Sequence, residues 1–243
     1  MILHMISTFR QVQTGNKFRK CWLILLLLSG CEARETGISI SEFDIQFEKG
    51  IEEKIYTYTG FYSEDTITHH YEFSGEDDNY LINKRIYHNH EIRAEQTYRV
   101  ALNKKQLIKE FQYEYPGRTA NALERVKCRI INYRETEKQS KYAGLETQIE
   151  FTNSLGFRTV IEETDEYLND TTIVWQNESL PAIKFKFVAK TQTYIKYLPF
   201  VKDTYENTGF SYYARGIGLI RFVASDDEGI YAQELLSIKK LGH

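Results

Sequence analysis

Apolar and polar side chains alternate with a period of two along much of this chain, the mark of strands with one covered face. Ile92, Ala94, Tyr98, Val100 and Leu102 share one face, while Arg93, Glu95, Thr97 and Arg99 share the other. A polar turn over 103–106 leads into Leu107, Phe111, Tyr113 and Tyr115, which alternate with Ile108, Glu110, Gln112 and Glu114. Pairing Leu102 with Leu107 predicts a hairpin that sets Tyr98 opposite Phe111 on one apolar face. The period returns at Leu145, Thr147, Ile149 and Phe151, and again at Ile183, Phe185, Phe187 and Ala189. Residues 54–62, 66–74 and 80–88 read as three earlier strands, and 157–164, 211–223 and 230–238 as later ones. The loop at 153–156 and the acidic segment 75–79 read as turns. Helix signals are confined to 119–125 and to 191–204, the second broken by Pro199.

Such alternation implies an antiparallel sheet with one covered side. The spacing is too short for the helical crossovers of a parallel sheet. A sandwich, a closed barrel and a strongly curved half-barrel all satisfy the pattern. Abundant Tyr (18) and Phe (14) with only 3 Pro fit pleated, half-buried surfaces. No repeat, low-complexity tract or Pro-rich linker divides the chain, so one domain over 41–243 is expected.

The beginning has a different character. Arg10, Lys17, Arg19 and Lys20 precede the apolar run 21–28, which has the length of a signal sequence and is short of a membrane span. Those four cations have no acidic neighbour in the first 30 residues. The remainder therefore holds 27 basic against 34 acidic side chains, a net charge of −7. That balance argues against a nucleic-acid partner, which needs a basic surface. Next come Leu28, Ser29, Gly30 and Cys31. This quartet resembles the lipobox of bacterial lipoproteins: an aliphatic residue, two small residues and a cysteine. The resemblance implies a diacylglycerol thioether on Cys31, cleavage by signal peptidase II before it, and a further acyl group such as palmitate on the new amino terminus. It divides the chain into a cleaved signal peptide at 1–30, a lipidated tether at 31–40 and the β domain at 41–243. Two or more acyl chains anchor a protein stably where one does not, at roughly 0.8 kcal/mol per buried methylene. The membrane, reached through lipid on Cys31, is thus the first expected partner. Glu32, standing where Asp signals inner-membrane retention in such proteins, implies the outer membrane and a periplasmic domain.

A second resemblance lies near the other end. Tyr212, Tyr213, Ala214, Arg215, Gly216, Ile217, Gly218 and Leu219 are similar to a Tyr-Ala-basic-Gly-aliphatic-Gly-aliphatic signature of uncharacterised half-barrel envelope lipoproteins. Residues 47–50 and 55–58 loosely resemble the opening of the same group, without its usual Trp and Pro. That resemblance implies a half-barrel, an architecture shared with the Lol lipoprotein carriers, whose concave face holds acyl chains. The likeness to those carriers is one of fold, and fold alone does not fix function. On the residues alone, Gly216 and Gly218 are structural glycines on one side of a strand, where they permit bending or the close approach of another element.

Motifs that carry chemistry are missing. The chain has no G-x-S-x-G elbow, H-E-x-x-H pair, phosphate-cradling Gly loop or C-x-x-C pair. His69 and His70 are adjacent and point to opposite faces of a strand. His88 and His90 have a spacing that could present two imidazoles to a metal, but Asn89 between them reads as a turn. The acidic segments 76–79 and 226–229 lack calcium-loop spacing. Cys128 shares a face with Val126 and Ile130 and reads as a small buried hydrophobe. We therefore expect no catalytic residues, metal or cofactor. The expected fold is all-β, mainly antiparallel: a strongly curved sheet or half-barrel with one or two short helices. The expected function is that of a non-enzymatic, membrane-anchored envelope lipoprotein binding an apolar or lipid-like ligand on a concave sheet face. The alternative is a scaffold or assembly-partner lipoprotein that docks another envelope protein.

Overall fold

The computed structural model describes residues 38–39, 42–45, 52–60, 65–76, 79–115, 121–136, 141–195, 198–226 and 229–241. Among them, fourteen strands form one antiparallel sheet and no residue is helical. The strands are β1 (Ile38–Ser39), β2 (Glu52–Thr59), β3 (Thr66–Glu76), β4 (Asn79–His88), β5 (Glu91–Ala101), β6 (Lys104–Glu114) and β7 (Glu124–Lys127). They continue with β8 (Arg129–Glu135), β9 (Leu145–Thr152), β10 (Phe157–Trp175), β11 (Glu178–Ile195), β12 (Leu198–Ala214), β13 (Gly218–Asp226) and β14 (Gly229–Leu241).

Two meanders make up the sheet. One runs β2 to β6 and the other β8 to β14, and they are sewn together where β14 pairs with β2, from Leu235 opposite Tyr58 to Leu241 opposite Glu53. The free ends of the sheet are brought together by the short segment 124–135. Its first part, β7, pairs with β6, Cys128 N–H donates to the Glu110 carbonyl at 2.9 Å, and its second part, β8, pairs with β9. The result is a nearly closed barrel with a single seam. At the other end of β6, β1 pairs with Lys104 and Lys105 and lies beside β8, narrowing the seam. Closure leaves few unpaired strand edges exposed to solvent.

Tight turns fix the register. Asn89–His90, Leu102–Asn103 and Gln176–Asn177 all have positive φ at both central residues, as two-residue type I′ hairpins require. Asn, which tolerates that region better than most residues, supplies one position in each.

The antiparallel all-β reading holds, but several local expectations change. The predicted helix at 191–204 is a hairpin: β11 runs to Ile195 and β12 starts at Leu198. Its Thr, Tyr and Ile residues favour strand, and Pro199 is tolerated beside a strand end. Of the predicted helix at 119–125, residues 119–120 lie outside the described residues, 121–122 are bends and β7 begins at Glu124. The strongly curved sheet is present, and it curves almost to closure because β7 and β8 bridge its edges. The hairpin after β5 is tighter than expected. Its turn is Leu102–Asn103, so Tyr98 pairs with Leu107 and not with Phe111, and Leu102 is exposed at the tip. The expected single strand over 211–223 is broken by a turn at 215–217.

Phe73 and Val100 are almost fully buried. Each such side chain contributes about 1.5–3 kcal/mol by leaving water. A larger cluster of Tyr56, Tyr58, Ile67, Ala182, Ala214, Ile220 and Leu235 packs where the long β10–β11 hairpin meets β2 and β14. Two hydrogen bonds tie it: Tyr58 Oη donates to the Leu219 carbonyl at 3.0 Å, and Trp175 Nε1 donates to the Leu235 carbonyl at 2.8 Å.

Candidate functional site

Strand alternation places every second side chain inside the barrel, and the inside is not uniformly apolar. At the end where β4, β6, β9, β11 and β13 begin, a cavity of about 520 Å³ opens. Tyr71 and Phe73 of β3, Tyr80 and Ile82 of β4, Tyr98 of β5 and Tyr133 of β8 line one side of it. Ile183 and Phe185 of β11, Tyr213 of β12 and Leu219 of β13 line the other. Charged groups reach the same space: Lys84, Lys105, Glu135, Lys141 and Asp165. Its volume lies within the range of small-molecule sites, about 300–1,000 Å³.

Residues 42–45 lie across the mouth as a plug. Phe43 is buried against Ile183 and Phe185 and meets Tyr142 edge-on at 5.6 Å. Asp44 accepts a hydrogen bond from Lys105 Nζ at 2.8 Å. Glu42 holds Arg215 by a 3.0 Å ion pair, and its carbonyl accepts from Gly216 N–H at 2.8 Å. Gly216 therefore lies in the turn between β12 and β13, not within a strand, while Gly218 opens β13. Gly218 has φ +91°, and a Cβ there would stand 2.7 Å from Ile45 Cγ1. Only glycine lets the plug seat this closely. Gly144, in the lining, admits a different close approach, that of the β10 backbone: a Cβ would meet the Asp165 carbonyl oxygen at 1.8 Å.

Electrostatics differ with depth. Burial, reinforced by the neighbouring Glu163, pushes the Asp165 carboxyl up to about 7. No hydrogen bond or ion pair reaches that carboxyl among the described residues. Deeper in the barrel, burial pushes Glu110 up to about 7 as well, but Gln112 and Gln96 donate to it and hold it down, Gln112 Nε2 at 2.7 Å. Lys84 is pulled down to about 8 by burial and by Lys105, against the attraction of Glu163 and Glu110. Burial opposes the charge of Lys105 too, yet Asp44 wins and holds that ammonium above its usual range. Burial raises the hydroxyls of Tyr71, Tyr98 and Tyr213 well above the ordinary tyrosine range, so all three stay neutral. Glu163 is walled in by the barrel but keeps access to water from the lumen.

The residues singled out in the sequence fall in three places. Leu28, Ser29, Gly30 and Cys31 lie outside the described residues, as do the signal segment and most of the tether. Gly216 and Gly218 are at the plug. Cys128, His69 and the His88–His90 turn are away from the cavity. Cys128 packs with Val126, Ile149 and Phe151, and burial pushes its thiol up to about 12, which suits an inert side chain. His69 faces inward beside Tyr58 and Tyr71, and burial pulls it well below its usual range, while His70 faces out against Tyr87. Asn89 and His90 form the turn, and His88 Nε2 lies 3.1 Å from Asp65 Oδ2. No group of metal-ligating side chains occurs among the described residues. Sequence reasoning missed Phe43, Lys84, Lys105 and Asp165. For Asp165 a signal existed: it stands at an inward position of a strand that alternates from Thr159 through Ile161 and Glu163.

The class this geometry defines is a plugged antiparallel barrel with an amphipathic mouth. Two solved structures are similar to it, the first of them in fold. A candidate lipoprotein of Parabacteroides distasonis matches with a TM-score of 0.50 at 14% identity, over 85% of this chain and 100% of that one. A candidate exported protein with a YmcC-like fold from Bacteroides fragilis matches with a TM-score of 0.49 at 12% identity, over 81% of this chain and 99% of the other. At these identities the likeness is one of fold. No protein-family model matches the sequence, and no curated protein does.

Proposed function

We propose that this protein is a non-enzymatic envelope lipoprotein, tethered to the outer membrane through acylated Cys31 and facing the periplasm, that binds a small amphipathic ligand in the mouth of its barrel. The observation that carries the reading is the cavity of about 520 Å³, walled by tyrosine and phenylalanine and closed by the chain that leads back to Cys31. The lipobox quartet 28–31 supports the tether, and the Parabacteroides distasonis neighbour's description as a candidate lipoprotein agrees with it. Eleven Cα-to-Cα steps lead from Cys31 to Glu42. Extended chain covers at most about 3.6 Å per residue, so the mouth lies within about 40 Å of the lipid. The mixed lining narrows the expected ligand: a bare acyl chain would leave Asp165 without a partner, whereas a molecule with an apolar body and a polar head suits the aromatic walls and the carboxyl together.

The test has two arms. Cells carrying the wild type or Cys31→Ser are grown with radiolabelled palmitate and fractionated. Label and membrane association are expected for the wild type alone, and equal labelling would refute the tether. Native mass spectrometry of the Cys31→Ser protein from its own host is expected to show a bound small molecule that is lost when Tyr213→Trp fills the cavity. Ligand-free protein under gentle ionisation would refute the binding role.

A further inference from the structure

The surroundings of Asp165 bear on the charge of the ligand, an inference that rests on the reading of the mouth as a ligand cavity. The half-buried carboxyl group of Asp165 lines the cavity from β10 with no hydrogen bond or ion pair to it among the described residues. The three lysines lining the cavity are engaged elsewhere. Lys105 holds Asp44 at 2.8 Å, and Lys141 holds Asp170 at 2.5 Å. Lys84 feels the attraction of Glu163 and Glu110. Among the described residues, the one charged group acting on the Asp165 carboxyl is therefore another carboxyl, Glu163.

The walls have matching chemistry. Phe185 and Tyr213 meet edge-to-face at 5.8 Å, and Tyr71 and Tyr98 line the opposite side. Aromatic faces attract a cation through the ring quadrupole, most strongly where water is excluded. A carboxylate drawn out of water without a partner is costly, and an opposite charge on a ligand offsets that cost. An anionic ligand would add to it, and a neutral one would leave it in place. We propose that the barrel mouth takes a small organic cation, an amine with an apolar body, with Asp165 as its counter-ion and Tyr71, Tyr98, Phe185 and Tyr213 as its aromatic walls. The charged or titratable groups facing Asp165 are Glu163 on its own strand, Tyr213 on β12 and, beyond Tyr213, Asp44 of the plug. None of these is a cation.

The experiment is calorimetric titration of the full chain bearing Cys31→Ser with three probes of similar shape: 2-phenylethylammonium, 2-phenylethanol and 3-phenylpropanoate. The amine is expected to bind at least tenfold more tightly than the alcohol, and the carboxylate more weakly than either. Asp165→Asn is expected to erase the preference for the amine and leave affinity for the alcohol unchanged. Equal binding of the three probes, or an amine preference that survives Asp165→Asn, overturns the assigned charge and leaves the cavity reading standing. If none of the three binds or raises the melting temperature, the cavity reading falls and this inference falls with it. The wild-type order of affinities decides the matter even where a variant folds poorly.

Discussion

The mouth and the waist of the barrel interior each contain a carboxyl pushed up to about 7, half-buried at the mouth and buried at the waist, and the two are handled in opposite ways. At the waist, Glu110 is wired into the wall: Gln112 and Gln96 donate to it, and Tyr98 Oη in turn donates to Gln96 Oε1 at 2.8 Å. At the mouth, Asp165 faces open space among aromatic rings. A buried polar group with all its partners is part of the architecture, because removing it strands the donors around it. One without partners is a standing cost, and proteins keep such costs mainly where function uses them.

The largest effect expected is at the apolar wall between the two. Phe73→Ala should lose about 3–5 kcal/mol in urea unfolding, the usual result for a fully buried aromatic ring. A loss below about 1 kcal/mol would mean that the cavity wall collapses readily and is no fixed site. Next comes the pair that separates mouth from waist. Glu110→Ala should cost about 1–3 kcal/mol, because it leaves the Gln96 and Gln112 amides unsatisfied. Asp165→Ala should be neutral or stabilising. If both destabilise equally, the contrast drawn here is wrong.

A pH series sharpens the same point. Asp165 binds its proton more tightly in the folded protein than in the unfolded chain, so its contribution to stability is fully present below about pH 4 and is lost as pH rises through about 7. Asp165→Asn escapes that loss. Its melting temperature relative to wild type should therefore climb from pH 4 to pH 7 and then level off. A flat difference across that window would show that Asp165 is well solvated. The smallest effect belongs to the rim of the plug. Arg215→Ala removes an exposed ion pair with Glu42 and should cost less than about 1 kcal/mol. It should still raise hydrogen exchange at Gly216, whose amide is held by the Glu42 carbonyl.

Strand identity was legible wherever one face is apolar and the other charged. Leu145 to Phe151 and Ile183 to Ala189 occur as read, and so does the Val126–Cys128–Ile130 face. Reading failed where interior positions are polar. Residues 165–175 carry Asn169 and Asp170, which look like a turn, and a bulge between Tyr167 and Asn169 shifts the alternation by one. Closure was invisible as well, because it depends on a single segment, β7–β8, changing partners at Cys128. The glycines at 216 and 218 stood out, but the partner they admit, Ile45, lies far away in sequence. Asp165 could be seen as an inward position, while its isolation depends on which side chains do not reach it, and no local pattern records that.

Joining β2 to β14 has a consequence for the order of events during synthesis. Glu53 finds its neighbour only when Leu241, far along the chain, is available. The hairpins of either meander can form as they appear, but the ring cannot be fastened from one side. Contacts this distant in sequence slow the final step and leave strand edges bare until it is complete.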